Sequence, residues 1–318
     1  MRKSKEIKRF GMICTKTQKE LKRYLYSILN DNGYKPICDD GFLYAKGEMP
    51  YLVTAHMDTV HKKQCDRYSV HNYKGKHRIQ SRDGIGGDDR CGIYMIVRMI
   101  LDGYRPSVLF CEDEEIGSIG AGKFCKTDYI NDLGIHYIIE LDRANANDAV
   151  FYDCDNPEFT DYILKNSEYK EAMGSWSDIC ELCEASGIAG VNFSCGYYNA
   201  HQTKEYVLFE EMQNTLMMVE KLIRMECKDF EFIPAKHYNY GWEKFYGYDY
   251  LYGSKSKKKD ISGMEIMFNE YHSINDTYYP TEDVEWVTGK TQEECFGQFF
   301  MLHPDICFND IIDWYTMP

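Results

Sequence analysis

Short apolar runs alternate with amphipathic stretches along most of this chain. Thr17 and Glu20 form a capping-box pattern ahead of an amphipathic run that stops at Gly33, which predicts a helix over 17–33. YLVTA (51–55) and SVLFC (107–111) are brief, continuous apolar runs and read as buried strands, while DRCGIYMIVRMILDG (89–103) between them has helical spacing. HYIIEL (136–141), AVFYDC (149–154) and GVNFS (190–194) are further strand candidates. A short helix is expected after Gly117, another over SDICELCEASG (177–187) and a long one over FEEMQNTLMMVEKLIRME (209–226). Continuous apolar strands separated by helices predict an α/β fold, a three-layer α/β/α domain with a mostly parallel central sheet. That domain is expected to occupy residues 1–233.

The character changes afterwards. Residues 237–252 are dense in tyrosine, Lys255–Lys259 form a basic run broken by one serine, and helix-like apolar spacing returns only toward Pro318. The basic run suits a solvated loop better than a docking patch. Residues 234–318 therefore read as a Tyr-rich linker and C-terminal extension with no motif of its own.

Composition narrows the function classes. With 44% hydrophobic and 15% aromatic residues the chain has ample material for a core. Its 37 basic residues stand against 51 acidic ones, a net charge of −14 that would repel phosphate backbones and argues against nucleic-acid binding. No apolar stretch approaches the roughly 20 residues needed to span a bilayer, so no membrane role is expected. The basic amino terminus is followed by too short an apolar patch for a signal peptide. Thirteen scattered cysteines, an odd number without an export signal, predict reduced thiols and a cytoplasmic setting. Cys180 and Cys183 make a lone CxxC with no second pair to complete a four-sulfur zinc site, and read as core cysteines. A homo-oligomer stays open.

Candidate chemistry gathers where the predicted strands end. Open parallel sheets place their sites at the carboxyl ends of strands. There, YLVTA runs into His56, Met57 and Asp58; SVLFC into Glu112, Asp113, Glu114 and Glu115; and HYIIEL into Asp142. GIGGDDRCG puts Asp88 and Asp89 at the mouth of a predicted helix, and NAHQTKEY brings His201 and Glu205 after GVNFS. So many carboxylates converging on one sheet edge would repel one another unless cations neutralised them. Each piece alone is weak, since Asp-Asp before a helix is commonly a cap and an acidic run commonly a solvated turn. The joint order His, Asp, Glu, Asp, His carries the argument.

With these motifs the chain resembles the two-zinc exopeptidases, among them bacterial leucine aminopeptidase, peptidase T, carboxypeptidase G and the tetrahedral aminopeptidases. The resemblance covers roughly residues 50–210, through AHMDTV, GGDDRCG, CEDEEIGSIGA, ELD and NAHQTKEYV. It implies that His56, Asp88 and Asp142 hold one Zn2+ and that Asp88, Glu115 and His201 hold the other. Co2+ or Mn2+ would also suit such donors. Asp58 would orient His56, Glu114 would act as general base, Asp89 would follow Asp88 across a peptide that is often cis, and Glu205 would be a supporting carboxylate. Asp142 and His201 are 59 positions apart (201 minus 142), and His56 and Asp88 are 32 apart (88 minus 56). Neither interval can hold the inserted domain of the larger relatives, so the compact single-domain aminopeptidases are the better match. Lid-bearing relatives take an oxyanion-stabilising His from that inserted domain. Here the role would fall to Tyr197 or Tyr198, unless both are packed aromatics. Arg143 would bind a substrate carboxylate or form a structural salt bridge, and GSWSD (174–178) resembles a glycine-rich segment near the site of the tetrahedral group.

The activity implied is metal-dependent hydrolysis of peptide bonds, with an aminopeptidase on short peptides foremost. HMDTV is closer to the carboxypeptidase group and DDRCG to the tetrahedral group, which keeps a carboxypeptidase or a deacylase of N-acylated small molecules as alternatives. A non-catalytic metal-binding interaction module is the reading from a different class. The presence of Glu114 speaks against it.

Overall fold

Apolar residues at helical spacing build the first layer. Helix α1 (Arg2–Cys14) buries Ile7, Phe10 and Ile13, and α2 (Gln18–Asp31) buries Leu21, Leu25 and Leu29. The capping box that opens α2 is formed: the Thr17 N–H donates to Glu20 Oε2 at 3.0 Å, and the Glu20 N–H donates to Thr17 Oγ1 at 3.3 Å. The computed structural model describes residues 2–235, of which 2–173 and 177–235 form one compact unit. The Tyr-rich segment, the basic run and nearly all of the expected C-terminal extension lie outside the described residues.

The chain continues through β1 (Ile37–Asp39), β2 (Phe42–Ala45), β3 (Met49–His56), β4 (Ser69–Tyr73), β5 (Lys76–Gln80), α3 (Gly87–Leu101) and β6 (Pro106–Cys111). It goes on through α4 (Ile119–Phe124), β7 (Tyr137–Arg143), β8 (Asp148–Val150), α5 (Pro157–Ser167), β9 (Lys170–Ala172), α6 (Asp178–Ser186) and β10 (Gly190–Ser194). Strands β11 (Tyr197–Tyr198) and β12 (Tyr206–Leu208) then precede α7 (Phe209–Leu222). Eight strands form the main sheet in the order β1-β2-β6-β3-β7-β10-β8-β9. Its centre, β6-β3-β7-β10, is parallel throughout, and β1, β2 and β8 join antiparallel.

Both faces of that sheet are covered, which explains why its central strands read as unbroken apolar runs. On β3, Tyr51, Val53 and Ala55 enter the larger core with α1, α2, α3 and α7, while Leu52 faces the smaller core under α4 and α6. On β7, Tyr137, Ile139 and Leu141 take the first face and Ile138 the second. The expected α/β/α layering is therefore present.

Besides strands β1, β2 and β9, three parts of the fold were not anticipated. One is α1, in a segment whose basic residues mask its apolar stripe. Another is α5, although Asn156 caps it by accepting the Phe159 N–H at 3.1 Å and Pro157 opens it. The third is a small antiparallel sheet, β11-β12-β5-β4, whose strand β4 is exposed at every position and so lacks apolar alternation. The strand expected over 149–154 ends at Val150, because Tyr152 takes a left-handed conformation with φ 50°.

Glu210, at the start of α7, ties three of these elements together. It accepts the His77 N–H of β5 at 2.7 Å, meets the His77 ring at 2.7 Å and pairs with Lys3 of α1 at 3.0 Å. Partial burial opposes ionisation, but these donors win and bring its carboxyl down to about 2 from 4.5. A depressed acid contributes stability above its unfolded value and loses it as pH falls through the folded one. Glu210→Gln should therefore cost about 1–2 kcal/mol near neutrality, with the deficit shrinking between pH 4.5 and 2 in urea unfolding.

Candidate metal centre

The parallel strands deliver their polar ends to one place. His56 closes β3, Asp142 lies near the end of β7, and Glu114 and Glu115 follow β6 in a single 3-10 turn. Asp88 and Asp89 stand in the first turn of α3, joined by a cis peptide. His201 lies in the loop between β11 and β12, with φ 61°, a left-handed conformation that costs a non-glycine residue of order 1–3 kcal/mol.

Asp88 lies between two donor groups. Its Oδ1 is 3.0 Å from His56 Nε2, which is also 3.4 Å from Asp142 Oδ1. Its Oδ2 is 3.2 Å from His201 Nε2, which is also 3.2 Å from Glu115 Oε2. In each group, His56–Asp88–Asp142 and Asp88–Glu115–His201, the ligand atoms lie within 4.8 Å of one another. One imidazole nitrogen can give at most one hydrogen, yet each of these faces two carboxylate oxygens. Donors converging in this way form two groups that could each hold a cation.

Other carboxylates hold the backbone that carries these donors. Asp58 Oδ1 lies 3.2 Å from His56 Nδ1 and accepts the Glu114 N–H at 3.1 Å, while its Oδ2 accepts the Glu115 N–H at 3.1 Å. Asp89, fully buried, accepts the His56 N–H at 3.2 Å and the Gly92 N–H at 2.8 Å. Gly92 must be glycine for this approach, since a Cβ there would stand 2.1 Å from the Leu141 carbonyl oxygen. Glu205, also fully buried, accepts the Gly86 N–H at 2.8 Å and the Asp88 N–H at 3.1 Å. Asp142 is steadied by the Ser177 hydroxyl on Oδ2 at 3.1 Å and by Asn192 Oδ1 on its own N–H at 3.0 Å.

With only protons to neutralise the acids, the donor groups shift one another's titration. His56 is desolvated, which disfavours its charge, but Asp142, Asp58 and Asp88 hold it protonated well above the usual imidazole range. Hydrogen bonds to Asp88 and Glu115 lift His201 to about 11. Burial together with the Asp88 charge raises Asp142 to about 7, and burial raises Glu114 strongly. Asp88, despite burial, stays far below the carboxylate range because both imidazoles face it. Imidazole and carboxylate together suit Zn2+, which takes His nitrogen and Asp or Glu oxygen at about 2.0–2.2 Å. The residues fit such ions on a second count as well. Glu115 Oε1 and Asp142 Oδ1 are buried with no hydrogen bond of acceptable geometry, a state that burial makes costly.

Some expected roles find no support. Tyr197 gives its hydroxyl hydrogen to the Asp142 carbonyl at 2.7 Å, and Tyr198 gives its own to Glu211 Oε2 at 2.5 Å while stacking on Tyr206. Both act as packed, hydrogen-bonded aromatics, so neither has a hydroxyl spare for an oxyanion. Arg143 makes no salt bridge among the described residues, and its Nε is buried without a partner. Asn192 belongs to the surroundings of the site but was not singled out beforehand, whereas Ser177 and Asp178 lie in the GSWSD segment whose resemblance was noted. Asp178 is buried at the start of α6, where burial raises it to about 6, and its charge acts on Glu114. Ser-Asp before a helix is an ordinary capping pattern, so nothing local gave Asp178 a role beyond its place in GSWSD. His61 was missed for a similar reason, as one histidine in the polar loop after β3.

No protein-family model matches the chain, and no curated protein matches it in sequence. Solved structures share its fold. A tripeptidase from Staphylococcus aureus is 13% identical with a TM-score of 0.55, covering 69% of this chain and 97% of its own. An aminopeptidase from the archaeon Desulfurococcus kamchatkensis is 12% identical with a TM-score of 0.54, covering 70% and 95%. Aminopeptidase PepT from Bacillus cereus is 15% identical with a TM-score of 0.52, covering 69% and 97%.

Asp58 links His56 to the Glu114–Glu115 turn, so Asp58→Asn should loosen both. An amide cannot accept both turn N–H groups, and leaving one buried donor unpaired costs about 1–3 kcal/mol. Urea unfolding in the presence of a chelator should show that loss without any contribution from bound metal.

Proposed function

We propose that this protein is a metal-dependent hydrolase of peptide bonds, acting as an aminopeptidase on short peptides. The observation that carries the proposal is the pair of donor groups sharing Asp88, with the Glu114 carboxyl beside them. His56, Asp88 and Asp142 would hold one Zn2+, and Asp88, Glu115 and His201 a second, with Co2+ or Mn2+ as alternatives. When bound, the ions would polarise the scissile carbonyl and make water acidic enough to attack near neutral pH. The fold shared with the aminopeptidase and tripeptidase structures supports the same reading.

The chain's own residues would manage positions and protons. Glu114 takes a proton from the attacking water as its oxygen bonds the scissile carbon, and delivers it to the amine nitrogen as the C–N bond breaks. Burial suits it to that role: the same desolvation that raises its affinity for a proton lets it hold one between the two transfers. Asp58 keeps His56 in one tautomer and, through the Glu114 and Glu115 amides, fixes where the base stands. Asp89 and Glu205 hold the backbone of His56 and Asp88. Arg143, next to Asp142 and free of any salt bridge among the described residues, is assigned to a substrate carboxylate.

The test follows breakdown of peptides free or blocked at either end. Stepwise loss from a free amino terminus is expected, abolished by a chelator, restored by zinc, and reduced about 10²–10⁴-fold by Glu114→Gln. Loss from the carboxyl terminus would reverse the polarity and favour the carboxypeptidase alternative. Folded, zinc-loaded protein that leaves every peptide intact would refute the peptidase, and N-acylated small molecules would be assayed next. Arg143→Ala should raise KM more than it lowers kcat on substrates with a free carboxylate; an unchanged KM would remove Arg143 from the site.

A further inference from the structure

Glu205 has no access to solvent, and three segments of the centre meet on its carboxylate. Oε1 accepts the Asp88 N–H, and Oε2 accepts the Gly86 N–H. Oε2 also lies 2.9 Å from His61 Nε2. His61 is in the loop that follows His56 and Asp58, and its side chain is only 9% exposed. The ring lies against Gly84, where a Cβ would come within 2.3 Å of His61 Cε1. Gly84 also has φ 96°, so both the backbone and the imbedded ring require glycine there. A carboxylate in this setting brings no hydrogen of its own to the contact, so Nε2 must carry it and act as donor. Without that third donor, a fully buried charge would rest on two amides alone.

We propose that His61 is a positioning residue. By donating from Nε2 to Glu205 Oε2 it holds Glu205 in the orientation that fixes the Gly86–Asp88 backbone, and with it the direction of both Asp88 oxygens. Among the described residues His61 makes no hydrogen bond or ion pair with a donor atom of either group. Its action passes through Glu205, and it joins the loop after β3, the turn before α3 and the loop between β11 and β12. The β11–β12 loop carries His201, so one contact steadies donors of both groups.

This inference rests on the reading of Asp88 as a ligand shared by two ions, and its test separates the two claims. Zinc affinity is measured by competition with a chromophoric chelator for wild type, His61→Leu and His61→Gln. Leu fills the space without a donor, whereas the Gln amide can place an N–H where Nε2 stood. Partners of this kind typically contribute 10–100-fold to metal affinity, so His61→Leu should lose about that much and His61→Gln should recover most of it. Equal affinity in wild type and His61→Leu would overturn the inference while leaving the shared ligand intact. Equal loss in His61→Leu and His61→Gln would overturn it too, since ring packing and not donation would then be responsible. Should His61→Leu fail to fold, His61→Asn, whose amide is too short to reach, takes its place against His61→Gln with the same two outcomes. A wild type that binds no zinc would refute the shared-ligand reading itself.

Discussion

Asp88 presents one carboxylate oxygen to His56 and Asp142 and the other to Glu115 and His201. That single side chain, buried among acids, is the constraint around which the rest is arranged. Placing Asp88, Asp142, Glu114 and Glu115 so close together is unfavourable for the bare chain. The imidazoles forced to hold protons and the Asp142 carboxyl raised to about 7 are its electrostatic signature. Divalent charge would convert the same repulsion into attraction.

The scaffold meets this strain with backbone amides. Asp58 grips the amides of Glu114 and Glu115, Asp89 those of His56 and Gly92, and Glu205 those of Gly86 and Asp88. Each of the three is a carboxyl outside the donor groups that accepts two backbone N–H groups, from one other segment for Asp58 and Glu205, and from the end of β3 and its own helix for Asp89. Charge-assisted bonds to amides are strong and directional. Short side chains anchored to main chain leave little freedom in the position of the donors. The parallel sheet supplies the remaining order, bringing β3, β6 and β7 side by side so that their ends open at one edge.

Much of this was legible beforehand. The central strands and α3 showed themselves because burial on both faces of a parallel sheet demands unbroken apolar runs, and the motif residues sit where those runs stop. The structure brings His56, Asp88, Glu115, Asp142 and His201 together near those ends. What escaped was whatever depends on contacts distant in sequence. Asn192 and Ser177 steady Asp142 from 50 and 35 positions away, and His61 meets Glu205 from 144 away. The small sheet is held by pairing across β5 and β12, with little apolar pattern in β4 to announce it. Tyr197 and Tyr198 read from the sequence as either an oxyanion donor or packed aromatics, and the hydroxyl partners that favour the second are ones local sequence cannot show.

Whether one carboxylate serves both donor groups decides the chemistry of the site. Native mass spectrometry of protein stripped with a chelator and then titrated with zinc measures this directly. Wild type should saturate at two ions per chain, and Asp88→Asn, still folded, should lose tight binding of both. Saturation of wild type at one ion, or two ions retained by Asp88→Asn with unchanged affinity, would contradict a shared Asp88.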